Sequence, residues 1–187
     1  MFALFINFLI THSDIIIYTF VVTQFTIASV TLYLHRSQAH GAVKFHPIVA
    51  HFMRLWLWMT TGMLTKEWVA IHRKHHSSVD ADGDPHSPWS TGNSIWTIFP
   101  FGVVQYVIAS KDKQMIETYG ANTPNDWIES ELYSRYPAGG VVVMLALNIL
   151  FFGWAGIIVW LIQMAWIPFW AAGVINGLGH YVGYQNY

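Results

Sequence analysis

The segment HRKHH, residues 72–76, places three histidines and two bases in five positions. His72, His75 and His76 stand at i, i+3 and i+4, so on a helix they share an arc of about 100°. Three imidazoles so close would repel one another if protonated and would add little to a core. The spacing therefore points to metal ligation, against the plain alternative of a solvated basic helix end. Two other segments offer similar donors. His35 and His40, in LHRSQAHG, lie about 140° apart on an ideal α-helix, and they converge if the helix ends between them, where Gly41 can supply the stop. The same spacing recurs at His46 and His51 in FHPIVAH, so alone it means little. Asn176 and His180, in NGLGH, are i and i+4; they form either a packed, hydrogen-bonded pair or part of the same site. His12, His46 and His51 take no role, and His86 reads as a loop or supporting residue.

The donor set narrows the chemistry. The chain contains no cysteine, which removes disulfides, thiolate zinc sites, iron–sulfur clusters and cysteine nucleophiles together. Imidazole suits zinc, copper, nickel and iron. No HExxH string occurs, nor the Glu-x-x-His of soluble carboxylate di-iron bundles. Six histidines on three segments exceed what one four-coordinate zinc can use, so more than one metal ion is the economical reading. Among nearby carboxylates, Glu67, Asp80, Asp82 and Asp84 can accept an imidazole N–H. Asp84 is the first choice, although it serves equally well as a turn residue before Pro85.

The elements that must position these groups are apolar. Of 187 residues 54% are hydrophobic and 17% aromatic, and only 10% are charged, against about 25% in a soluble domain. Acids and bases nearly cancel, ten against nine, so no basic field favours nucleic acid. Residues 15–34 are uncharged and long enough to cross a bilayer core of about 30 Å. A second uncharged stretch, 138–175, is broken at Gly153 and Gly156 and reads as a hairpin of two spans, 138–154 and 157–175, with a kink at Pro168. Residues 47–71 carry His51, Arg54, Lys66 and Glu67 and read as an interfacial or buried helix; 77–93 form a loop. All nine Lys and Arg lie between the first span and the hairpin, which places 35–137 in the cytoplasm and brings His180 back to the side of HRKHH. The expected fold is all-α: an integral membrane helical protein with a cytoplasmic histidine-rich helical cap, in one domain. RLWLWM (54–59) and the tryptophans of the last span would wall an apolar tunnel or form interface belts.

In order, HRSQAH, HRKHH and NGLGH resemble the histidine boxes of the membrane fatty acyl desaturases: HxxxxH, HxxHH, and the Asn-x-x-x-His that precedes their third box. KEWVAIHRKHH, DPHSP and WAAGVINGLGHYVGYQNY look most like the bacterial acyl-CoA delta-9 members. The resemblance covers nearly the whole chain. It implies that His35, His40, His72, His75, His76 and His180 ligate two Fe ions, with Asn176 reaching an iron through water and O2 as co-substrate. It also implies a long-chain acyl thioester as substrate, with CoA as carrier, desaturated at delta-9. Electrons would come from a ferredoxin-, rubredoxin- or cytochrome b5-type donor with its reductase, at the cytoplasmic face of a multi-pass protein in a bacterial inner membrane. Side chains cannot themselves oxidise an unactivated methylene, so a cofactor must supply that power.

Two departures qualify the resemblance. The family's third box, a second HxxHH, is expected a few tens of residues after GYQNY and lies outside residues 1–187. The expectation is therefore an incomplete desaturase domain, inactive alone. Val69, Ala70 and Ile71 stand where mammalian acyl-CoA members have charged residues, which leaves the carrier open. The competing readings are a related membrane di-iron hydroxylase, whose first box is usually one residue shorter; a histidine-ligated haem or electron-transfer protein; and a non-catalytic membrane fragment.

Overall fold

The computed structural model describes residues 11–99 and 102–182, and the regular structure among them is all helical. GYQNY, on which the expectation of a further box rests, lies outside the described residues. Helix α1 (Ser13–Ala39) and helix α9 (Ala155–Tyr181) are each 27 residues long and apolar. At 1.5 Å per residue each reaches about 40 Å, more than a hydrocarbon core requires. Ile16, Ile17, Phe20 and Val21 on α1 and Ile158, Leu161 and Ile162 on α9 face outward, as lipid-facing surfaces do. On the inward side of α1 the hydroxyls of Thr19, Thr23, Thr26 and Ser29 donate to carbonyls one turn back, so these hydroxyls need no water.

Between α1 and α9 run α2 (Pro47–Thr61), α3 (Thr65–Ser77), α4 (Ile95–Ile98), α5 (Gly102–Ala109), α6 (Lys113–Tyr119), the short π-helical α7 (Glu129–Tyr133) and α8 (Gly139–Phe152). Helix α2 begins at Pro47, which lacks the N–H a first turn cannot use, with the His46 side chain accepting from the Ile48 N–H. It stops at Gly62, whose φ of 67° suits glycine. The α8–α9 hairpin turns where the sequence places it. Gly153 adopts φ 57° and ψ −135°, and a Cβ on Gly156 would collide with the Asn148 carbonyl. The 14 residues of α8 extend only about 21 Å, so α1 and α9 are the two helices among the described residues long enough to span unaided.

Polar side chains fasten this apolar frame. Tyr18 donates to Asn148 Oδ1 and Asn148 Nδ2 to Gln163 Oε1, both at 2.9 Å, joining α1, α8 and α9 where no water competes. Segment 54–59 packs rather than walling a cavity. The Trp56 indole donates to the Thr26 hydroxyl, the Trp58 indole donates to the Tyr136 carbonyl, and Leu57 lies in the core. Buried Arg54 meets Asp126 at 2.7 Å and Glu129 at 3.4 Å, holding α7 and the loop before it against α2.

Candidate metal centre

Helix α1 delivers the first two imidazoles by changing its pitch. Over Val30–Ala39 the backbone is a π-helix, and the His40 N–H donates to the His35 carbonyl at 3.1 Å. Residues five apart then sit one above the other, and the two ring centroids are 4.6 Å apart. The helix does not break between them, as α-helical spacing requires for convergence; it widens and carries both on one side. From α3, His72 and His76 stand one turn apart with centroids 4.5 Å apart. The ligand nitrogens of His35, His40, His72 and His76 all lie within 4.8 Å of one another, and Nε2 of His40 is 3.1 Å from Nε2 of His72. Trp68 stacks on His72 at 4.7 Å and 15°, fixing that ring.

A second group forms beside the first. His75 is buried, and its Nδ1 lies 2.9 Å from both oxygens of Asp84. Asp84 also accepts the N–H groups of Asp80 and His86. A carboxylate only accepts, so Nδ1 carries the proton and Nε2 keeps a free lone pair. His180 repeats the device: its Nδ1 is 3.1 Å from both Asp80 oxygens, and Asp80 is held by the Ser87 hydroxyl at 2.6 Å. The Trp89 indole donates to the His180 carbonyl, and its ring stacks on Tyr181. The rings of His75 and His180 are 5.1 Å apart, and His86 lies 6.0 Å from His75. Asn176 lies four residues before His180 on the π-helical stretch Pro168–Leu178. At Pro168 α9 continues and widens, because proline interrupts the α-helical ladder.

Sequence reasoning singles out Asp84 but not the pairing of Asp80 with His180, and it misses Arg73. That guanidinium donates to four carbonyls: Gln38 and Ala39 at the end of α1, Tyr119 at the end of α6 and Ala121 just after it, at 2.8–3.0 Å. It locks the first histidine pair to the second. A base inside a histidine cluster was the available signal, but its acceptors lie 34–48 residues away. His51 is near Arg54, and His46 caps α2, so neither joins the cluster.

Electrostatics favour the ligand form. Burial, then the neighbouring imidazoles of His76, His35, His40 and His75, pushes His72 down to about 2. Burial and the same kind of neighbours lower His76, and burial above all takes His86 to about 4. Burial pushes the Asp84 carboxyl up, but hydrogen bonds from His75 and two backbone N–H groups outweigh it and leave the carboxyl below its ordinary range. Imidazole nitrogens converging without thiolate, two of the four half-buried and two exposed, fit a borderline transition metal such as iron or zinc. The second, carboxylate-backed pair favours more than one ion.

An apolar cavity of about 390 Å³ adjoins the first group at His72. Its walls come from Thr60–Met63 after α2, Trp68 and His72 of α3, Val103, Tyr106 and Val107 of α5, and the face of α9 from Met164 to Asn176, with His86 at its edge. Of the aromatic residues expected to line a tunnel, neither 54–59 nor Trp166 and Trp170 contribute; the indole there is Trp68.

Comparison with known proteins agrees with this chemistry. A family model described as fatty acid desaturase matches residues 14–187. The Delta-9 desaturase-like 5 protein of Arabidopsis thaliana is 29% identical over 100 residues, covering 51% of this chain and 33% of that protein. The Icosanoyl-CoA 5-desaturase of Limnanthes douglasii is 36% identical over 62 residues, 33% of this chain and 17% of that one. The Hex-5-enoyl-[acyl-carrier protein] acetylenase of Moorena producens (strain JHB) is 40% identical over 55 residues, 29% and 17% respectively. The matched regions thus span a third or less of these relatives. No solved structure matches the chain.

Proposed function

The chain belongs to the fatty acid desaturase family, and from that premise we propose that it forms the membrane and metal-binding part of an O2-dependent fatty acyl desaturase with a histidine-ligated di-iron centre. The observation that carries the reading is the meeting of six histidines from three elements beside an apolar cavity. His35, His40, His72 and His76 would hold one iron. His75 and His180 would hold the other, with Asn176 reaching it through water. The second group offers fewer imidazoles than the first, and we propose that a further HxxHH segment completes it.

When bound, the irons and O2 supply the oxidising power that no side chain has. The balance is that of desaturation: –CH2–CH2– with O2, two electrons and two protons gives –CH=CH– and two waters. The chain's own residues prepare that reaction. Asp84 and Asp80 fix the tautomers of His75 and His180, Arg73 holds α3 in register with the histidine-bearing end of α1, and the apolar walls align a methylene chain past His72 while excluding water. A cavity with few polar atoms suits a saturated chain, and the relatives' names include both CoA and acyl-carrier-protein thioesters. We take a long-chain acyl-CoA as substrate and delta-9 as the position. Electrons would come from a ferredoxin-, rubredoxin- or cytochrome b5-type donor with its reductase. The protein would be multi-pass in a bacterial inner membrane with the centre at the cytoplasmic face.

The test is the fatty acid composition of a host lacking its own desaturase. Residues 1–187 and a form extended through a following HxxHH segment are expressed in parallel. New unsaturated chains are expected only from the extended form, with about two irons per chain on purification, and none from its His76→Ala variant. Hydroxylated chains in place of unsaturated ones would overturn the reading in favour of the hydroxylase.

A further inference from the structure

The eight residues of α5, GVVQYVIA, carry no charge, and the helix turns apolar side chains two ways. Val103 and Val107, at i and i+4, line the cavity. Val104 and Ile108, 100° further round, do not line it, and they are 48% and 56% exposed. Val103 and Val107 are exposed as well, so the ridge they form is the edge of the cavity and not a buried wall. Helix α5 packs on α4 and α9, where Gly102 comes so close to α9 that a Cβ would strike Ala172. Across the cavity stand Thr61, Gly62 and Val141, and among the described residues α5 has no comparable packing on α2 or α8. Next to Val141, Val142 is exposed on α8. The edge between α5 and the start of α8 is thus flanked on both sides by exposed aliphatic side chains.

Such a contiguous apolar surface marks a contact with membrane or ligand, unlike scattered exposed side chains. Its depth points to lipid. Ala172, where α5 meets α9, lies about 25 Å along α9 from the hairpin end at Ala155, inside a hydrocarbon core of about 30 Å. Trp96 of α4 is exposed, and Lys111 and Lys113 follow α5; these residue types sit at the level of the lipid head groups. We infer that α5 lies in the cytoplasmic leaflet and that the edge between it and α8 is a lateral portal, through which an acyl chain resident in that leaflet enters the cavity. The inference rests on the acyl-desaturase reading and adds the route by which the chain arrives. A chain that slides in sideways keeps its methylenes in apolar surroundings throughout and avoids the cost of wetting them. The bulk of Val103 and Val107 sets the width of that entrance.

The experiment labels the cavity from within the bilayer and needs no turnover. The full chain is placed in nanodiscs containing a phosphatidylcholine with a diazirine midway along one acyl chain, a probe that stays in the membrane. Cross-linked residues are mapped by mass spectrometry after illumination. Wild type is expected to be labelled at Met63 and Trp68, which line the cavity and are partly buried, as well as at Phe20 on the outer face of α1. Val107→Trp fills the entrance and is expected to cut labelling of Met63 and Trp68 about tenfold, because a close-packed opening passes no chain, with Phe20 labelled as before. Ile108→Trp, on the outward face, is expected to change neither. The chain has no cysteine, so Val104→Cys can be spin-labelled alone, and O2 should relax that label more than a water-soluble nickel chelate does. A label relaxed chiefly by the chelate places α5 in water and overturns the inference. A diazirine-bearing stearoyl-CoA added to the detergent-solubilised chain separates the two readings. If the acyl-CoA labels Met63 and Trp68 but the phosphatidylcholine does not, or labels them equally in wild type and Val107→Trp, the portal is overturned and the acyl cavity stands. If neither probe labels them, the acyl reading of the cavity fails and this inference falls with it.

Discussion

At the scale of single residues, the site depends on which nitrogen each imidazole presents. Asp84 keeps the proton of His75 on Nδ1, so Asp84→Asn removes the group that fixes ring and tautomer. An amide can present its NH2 where a pure acceptor stood. Metal affinity, measured with Co(II) by its visible absorption, is expected to fall 10- to 100-fold, with the helical content unchanged. Acid acts through His72. Its folded pKa lies at about 2, below the ordinary 6.5, so between those values the unfolded chain binds a proton that the folded chain refuses. Stability of the metal-free chain is therefore unaffected above about pH 7 and declines as pH falls below 6.5. By pH 5 the decline is about 2 kcal/mol from His72 alone, read as a lower unfolding midpoint; bound metal opposes it. A midpoint flat from pH 7 to 5 would show that the imidazole is not held neutral.

At the scale of elements, the centre is made by a change of helical pitch and by one guanidinium. The π-helical end of α1 brings the rings of His35 and His40 edge to face, while Arg73 of α3 gathers carbonyls at this widened end and at the end of α6. Lysine has the charge but not the fork, and it cannot reach both segments at once. Arg73→Lys is expected to speed amide hydrogen exchange over residues 36–42 and to weaken metal binding, although no metal ligand has changed. Protection equal to wild type would mean that the π-helix holds itself without the guanidinium.

For the whole molecule, the uneven placement of bases predicts the arrangement in the membrane. Arg36 lies in the last turn of α1 and the other eight between α1 and α8, so reporters fused after Pro137 and after Tyr187 are expected on the cytoplasmic side and one inserted at Gly156 on the other. Helix α8 is the sensitive point, since it is shorter than the hydrocarbon core and relies on Tyr18, Asn148 and Gln163 to hold it between its longer neighbours. A cytoplasmic signal at Gly156 would mean that α8 and α9 enter and return from one face, with His180 reaching the centre without crossing.

The sequence by itself determined what local periodicity and length can encode. The uncharged run at 15–34, the break at Gly153 and Gly156, and the single-sided histidines of HRKHH were legible because each depends on neighbours a few positions away. The pairing of Asp84 with His75, nine residues apart, was within that reach. Only the tertiary structure decided the rest. The pitch of α1 at His35–His40 was hidden because α- and π-helices share residue preferences and differ in hydrogen-bond register. Asp80 was indistinguishable from its neighbouring carboxylates until a chain returning 100 residues later placed His180 against it. The segment 54–59 has the composition of a tunnel wall, yet packing against α1 and the Tyr136 carbonyl used up its indoles. That left the cavity to Trp68 and Tyr106, because which apolar surface stays uncovered depends on how all the helices pack together and not on any one of them.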